Sequence, residues 1–285
     1  MTTGTALITT TDVQAGEHRL RLHTSGDPSS PAVVWLHGSG PGVSALSNWE
    51  QLLTRFADKY YNIAPDVLGF GESEHPDPAP IGMVDYTQVR AQSILALLDT
   101  LGVQKAHLVG NSMGGMITLT IAQLAPDRVD RIILMGTGGA PIPPTPELMK
   151  LVTFYQDPSV AAMSELLTDF VHDPALFAGE LDAIATDRLA KATRDDVRRS
   201  HLATFDPSSA PVKFTPEQLA TIGHEALVLH GREDKMLPVE AGYYMAGHLP
   251  NAQLHVLPHA GHWIQIEQVD RFAALAELFL GESPN

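Results

Sequence analysis

The sequence predicts an α/β fold: a mostly parallel sheet with helices on both faces and a helical lid inserted in the second half of the chain. Three observations predict it. Short β-branched and apolar runs alternate with stretches of helical periodicity. The runs are continuously apolar, as strands covered on both faces require. The alternation then breaks once, between residues 138 and about 213, where helical spacing is bracketed by proline-rich loops.

Strands are predicted at 33–36, 62–64, 107–109, 132–135, 226–229 and 254–257. Val89, Ile94, Leu97, Leu98 and Leu101 line one helix, residues 117–124 form another, and Phe272, Leu275, Leu278 and Phe279 line a third. Strands and helices in alternation build parallel sheets. The interrupting segment carries Leu148, Leu151, Val152 and Tyr155, then Met163, Leu166, Leu167 and Phe170, at helical spacing. It divides the chain into a first core part at 1–140, a lid at 141–211 and a second core part at 212–285. Ligands of open α/β sheets bind beyond the carboxyl ends of the strands, so a lid there would shape the pocket.

The 285 residues, 44% of them apolar, suffice for one compact core with an insertion. Lys and Arg number 18 against 33 Asp and Glu, a formal charge of −15. Such a chain repels phosphate backbones and anionic lipid, so neither nucleic acid nor membrane is an expected partner. An anionic substrate would need a positive charge built into the site. The absence of cysteine excludes disulfides, thiolate catalysis and Cys-ligated metals. Residues 1–19 are polar, without the apolar core of a signal peptide. No run nears the roughly 20 apolar residues of a membrane span. A cytoplasmic protein is expected, acting as a homodimer or higher homo-oligomer, without metal or cofactor.

Gly110-Asn111-Ser112-Met113-Gly114-Gly115 lies between a predicted strand and a predicted helix. This is G-x-S-x-G in the strand–turn–helix context it needs, a sharp turn that lifts a serine hydroxyl to the top of the sheet. A serine hydroxyl is a weak nucleophile and needs a base. Of the 13 histidines, His262 follows the last strand and precedes the last helix. His259 is its local competitor, and His37 is read as a support for the glycine loop beside it. The base needs an anion to fix its tautomer. Asp234, in the loop after the next-to-last strand, is the candidate, with Glu233 as its neighbour and alternative. The other position this architecture offers, after 131–135, reads Gly136-Thr137-Gly138-Gly139 and has no carboxylate. Two amides must hold an oxyanion. Met113 supplies one, and Ser39 of His37-Gly38-Ser39-Gly40-Pro41-Gly42 is taken as the other. That loop matches no phosphate-binding fingerprint.

On these residues the chain resembles the meta-cleavage-product hydrolases of the α/β-hydrolase superfamily. The resemblance rests on the loop His37 to Gly42 with Ser47-Asn48-Trp49 downstream, the elbow around Ser112, Gly231-Arg232-Glu233-Asp234, and Gly261-His262-Trp263. It implies hydrolysis of the C5–C6 bond of a 2-hydroxy-6-oxohexa-2,4-dienoate, an aromatic ring-fission product. It also implies a substrate site of Asn48, Asn111, Gly38, Gly40 and Trp263, and a lid arginine for the carboxylate, which Arg188 matches. Arg194, Arg198 and Arg199 are its rivals. A carboxylesterase or lactonase would use the same triad. Haloalkane dehalogenases and epoxide hydrolases need Asp where Ser112 stands. A ligand receptor with a retained pocket is the reading from another class.

Overall fold

The computed structural model describes residues 7–282. Eight strands form one sheet: β1 (Thr9–Ala15), β2 (His18–Ser25), β3 (Ala32–Leu36), β4 (Tyr61–Pro65), β5 (Ala106–Asn111), β6 (Val129–Met135), β7 (Ala226–Gly231) and β8 (Ala252–Leu257), in the order β1-β2-β4-β3-β5-β6-β7-β8. From β4 to β8 every pairing is parallel. All six expected strands are present. Two more precede them. β1 and β2 form an antiparallel hairpin, and β2 runs antiparallel to β4. They escape a search for continuous apolar runs because β1 is mostly exposed and β2 is only partly buried.

The strands divide their side chains between two cores, as the period of two requires. Val34, Leu36, Leu108, Ile132 and Leu134 pack with α2 (Met83–Thr100) and α3 (Met113–Leu124). Val33, Trp35, Val109, Ile133 and Met135 pack on the other face with α1 (Ala45–Phe56) and α11 (Val269–Gly281).

The lid helices lie between β6 and β7: α4 (Pro146–Val152), α5 (Val160–Asp169), α6 (Leu181–Ala192) and α7 (Asp195–Thr204). The helical spacing expected through Tyr155 stops at Val152, and Phe154–Gln156 form a single tighter turn. Leu151, Phe154, Met163, Leu166 and Phe170 make a third core, into which Met236 and Trp263 reach from sheet loops. Two short helices, α8 (Pro216–Ala220) and α10 (Ile264–Glu267), and α9 (Glu240–His248) complete the chain. Among the described residues no helix is long and apolar enough to cross a membrane.

After β3 the chain moves outward to β4 and then returns to β5 on the other side of β3. Leu36 thereby pairs with Gly110, so the loops leaving β3 and β5 open side by side at the strands' carboxyl ends. Such a switch point forms a crevice.

Candidate active site

Ser112 stands between β5 and α3 with φ 55° and ψ −113°. A non-glycine residue held there stores on the order of 1–3 kcal/mol of strain. The surrounding glycines make the turn possible. A Cβ on Gly110 would lie 2.5 Å from the Gly114 carbonyl carbon, and one on Gly114 would lie 2.1 Å from Leu36 O. The turn is pinned by Ser112 N donating to Met135 O (2.9 Å) and Gly138 N donating to Ser112 O (3.3 Å).

His262 Nδ1 lies 2.7 Å from Asp234 Oδ2, with both side chains buried. The Asp234 carboxylate also accepts the amides of Met236 (2.8 Å) and Leu237 (2.9 Å) at Oδ1. Burial alone would raise its pKa, but the imidazoles of His262 and His230 outweigh burial and hold it well below the usual carboxylate range. The pair is steadied from the lid, where Phe170 O accepts His262 N at 2.8 Å. Gly136, directly after β6, presses on it closely enough that a Cβ would be 3.0 Å from His262 Nδ1. Ser112 Oγ makes no hydrogen bond among the described residues. Such bonds often tighten only with substrate. The competitors sit elsewhere: His259 is exposed, and Glu233 is engaged by Arg232 and the Ala260 amide.

The loop after β3 runs directly over the elbow. A Cβ on Gly38 would be 2.8 Å from Asn111 Oδ1 and 3.2 Å from Ser112 Cβ. His37 braces this loop. Its Nε2 accepts from Val67 N (2.9 Å), so Nδ1 carries the proton and donates to Gly38 O (2.8 Å). Burial lowers its pKa, in keeping with a neutral brace. Ser39, Ser112 and Met113 line one cavity of about 480 Å³. Gly42, Ser47, Arg188 and Trp263 line a second, of about 200 Å³.

Arg188 reaches from α6 into the protein. Its Nε donates to Pro41 O (2.9 Å), its guanidinium lies 5.6 Å from the Trp263 ring centre, and Nη2 is buried without a partner among the described residues. Gly40 faces that nitrogen closely enough that a Cβ would lie 2.9 Å from it. Burial without a neighbouring carboxylate lowers the Arg188 pKa to about 10. Its rivals are placed differently. Arg194 pairs with Glu72 and Asp196, Arg199 donates to His75 O, and Arg198 lies over Tyr155. Trp263 stacks on Phe170, ring centres 4.4 Å apart.

The two asparagines differ. Asn111 Nδ2 donates to Met135 O (3.1 Å) and His262 O (3.5 Å), leaving a buried Oδ1 unpartnered among the described residues. Asn48 donates to Ser44 O and Ser47 Oγ at the start of its own helix and accepts from Gln265 Nε2 at 3.4 Å.

Three residues at the site escape sequence reasoning. Gln265 backs Asn48. Arg90, buried in α2, donates to Leu68 O, to Met113 Sδ and to Thr204 Oγ1 of the lid. His230 lies 3.4 Å from Asp234 Oδ2. No motif marks the first two. The spacing of four between His230 and Asp234 was visible, but says nothing without the loop's path.

Residues 31–269 match the family described as alpha/beta hydrolase fold. The chain is 38% identical over 279 residues to the 2-hydroxymuconate semialdehyde hydrolase of Pseudomonas sp. strain CF600, covering 95% of this chain and 94% of that one. The structure of 2-hydroxy-6-oxo-6-phenylhexa-2,4-dienoate hydrolase from Rhodococcus sp. strain RHA1 superposes with a TM-score of 0.93 at 37% identity, covering 98% of this chain and all (100%) of that one. A serine hydrolase from the polyaromatic-hydrocarbon-degrading bacterium Cycloclasticus zankles superposes with the same TM-score of 0.93 at 38% identity, covering 96% and 98% of the two chains. With this likeness running along the whole fold, the chain belongs to the meta-cleavage-product hydrolases, serine hydrolases of the α/β-hydrolase fold that act on carbon–carbon bonds.

Proposed function

We propose that this chain hydrolyses the C5–C6 bond of 2-hydroxy-6-oxohexa-2,4-dienoates bearing a bulky apolar 6-substituent. The observation that carries the reading is Arg188: a buried, carboxylate-free guanidinium with a spare donor, in a chain of net charge −15. A cation so placed costs desolvation energy, which an anionic ligand offsets. Bound there, the carboxylate end would meet the Arg188 guanidinium and the C6 carbonyl would lie over Ser112.

The dienol first ketonises, losing the 2-hydroxyl proton and taking one at C5, with Asn111 Oδ1 and Asn48 as the groups that would bind its 2-oxygen and carboxylate end. Ser112, losing its proton to His262, then attacks C6. The amides of Ser39 and Met113 hold the oxyanion, and Asp234 stabilises the imidazolium. As the C5–C6 bond breaks, its electrons pass into the conjugated 2-oxo system and His262 returns the proton. This yields 2-hydroxypenta-2,4-dienoate and an acyl-Ser112. Water, activated by His262, releases the carboxylic acid.

The larger cavity favours a bulky 6-substituent. Met116, Ile142, Leu148, Val152, Phe205 and Val212 line it, and a 6-hydrogen would leave its about 480 Å³ largely unfilled. Steady-state kinetics with 6-hydrogen, 6-methyl and 6-phenyl substrates tests this. The highest kcat/KM is expected for phenyl. A preference for the aldehyde would sink the substituent assignment, and turnover of aryl esters alone would leave a carboxylesterase.

A further inference from the structure

The triad acid is held by a second histidine. His230 is the penultimate residue of β7 with no exposed surface, and its Nε2 lies 2.9 Å from Leu237 O and 3.4 Å from Asp234 Oδ2. Both oxygens only accept, because Asp234 is ionised, so Nε2 carries a hydrogen whether the ring is neutral or charged. The other nitrogen, Nδ1, is buried without a partner among the described residues, and Gly242 of α9 packs against it so closely that a Cβ there would lie 2.9 Å away. The ring is thus wedged with one orientation available. Asp234 Oδ2 is bonded by His262 at 2.7 Å and faced by the His230 N–H at 3.4 Å, whose shorter bond goes to Leu237 O, while two amides hold Oδ1.

We infer that His230 is a positioning residue that fixes the Oδ2 of Asp234 and tempers the basicity it lends to His262. This rests on the assignment of Asp234 and His262 as acid and base. A carboxylate with fewer donors concentrates its charge on those that remain. Removing His230 therefore favours protonated His262, and the acidic limb of the pH–rate profile moves to higher pH. The charged and titratable groups around His230 are Asp234 on the loop after its strand and Glu240 at the start of α9, with His262 from the loop after β8 on the same Asp234 oxygen. All three carry through unchanged in the His230 variants below. Burial works against a charged His230 and Asp234 works for it, with a net rise in its pKa. A charged ring would shift the limb in the same direction.

The test compares His230→Phe with His230→Gln, whose amide can replace the donor, on a neutral aryl ester that does not itself titrate. For His230→Phe the acidic limb of kcat/KM is expected to rise by about half to one pH unit, with kcat falling roughly tenfold and KM little changed. His230→Gln should restore most of both. A folded Phe variant with an unmoved limb, or loss of rate in both variants without a shift, overturns the inference. Histidine 15N spectra of the wild-type protein give a check independent of folding: protonated Nε2 at His230 is expected, and an Nδ1–H tautomer overturns it. Asp234→Asn separates the two levels, since full turnover in that variant would remove the triad assignment itself.

Discussion

Arg188 Nε donates to Pro41 O at 2.9 Å, so the lid arginine is seated on the loop that also carries Ser39. Gly42 makes the seat. A Cβ there would be 2.4 Å from the Arg188 carbonyl oxygen, and its φ of 70° disfavours other residues. The lid and the loop after β3 are therefore one contact surface, and the charge of the lid arginine is fixed relative to Ser112.

Arg188→Gln should weaken dienoate substrates selectively. Losing one side of a buried charged hydrogen bond costs about 2–5 kcal/mol, roughly a 30-fold or greater fall in kcat/KM. A neutral aryl ester should lose little. Equal losses with both substrates would make Arg188 structural.

Ser112→Ala and Ser112→Gly should both lose turnover by several orders of magnitude while still binding the dienoate. They should differ in stability. Glycine tolerates φ 55° and ψ −113° and relieves strain of on the order of 1–3 kcal/mol, beyond its unfolded-state cost of up to about 1 kcal/mol. Urea unfolding should rank Gly above Ala. The reverse order would mean the elbow is unstrained, and more than a few per cent residual activity would remove Ser112 as nucleophile.

Asn111→Ala distinguishes carbon–carbon cleavage from ester cleavage. An ester has a leaving group already, whereas the ketone needs an electron sink formed at its far end. Stopped-flow absorbance should show the dienol consumed far more slowly. Aryl-ester hydrolysis should drop only by the modest amount due to the lost brace on His262 O. Parallel losses on both substrates would confine Asn111 to bracing.

Buried His201 should make the lid sensitive to acid. It lies between Tyr155 and Phe205, ring centres 4.8 Å from each, and burial lowers its pKa from 6.5 to about 4. Between those values the unfolded chain binds a proton that the folded chain does not. Stability is therefore full above 6.5 and falls as pH drops toward 4, by up to about 3 kcal/mol. Urea midpoints at about pH 7 and about pH 4.5 should converge in His201→Phe relative to wild type. An unchanged difference would place the acid sensitivity elsewhere.

What the sequence determined by itself is local chemistry with an obligatory backbone context. The Gly110 to Gly115 run encodes the elbow because only glycines fit beside Leu36, Gly114 and Thr137, and the five strands β3 to β7 show as apolar runs because both faces of each are covered, whereas β8 was legible only from its last residues because it lies half-exposed at the sheet edge. The order Ser112, Asp234, His262 was legible because each follows a strand. The hairpin of β1 and β2 was not, since an exposed edge strand needs no apolar pattern. Nor could sequence choose among Arg188, Arg194, Arg198 and Arg199. All four sit in helical lid sequence, and only packing decides which guanidinium is buried without a carboxylate. The same holds for His230, Gln265 and Arg90. Their roles come from distances between elements far apart in the chain, or from the path of a loop, and those distances exist only once the sheet has brought the strand ends together.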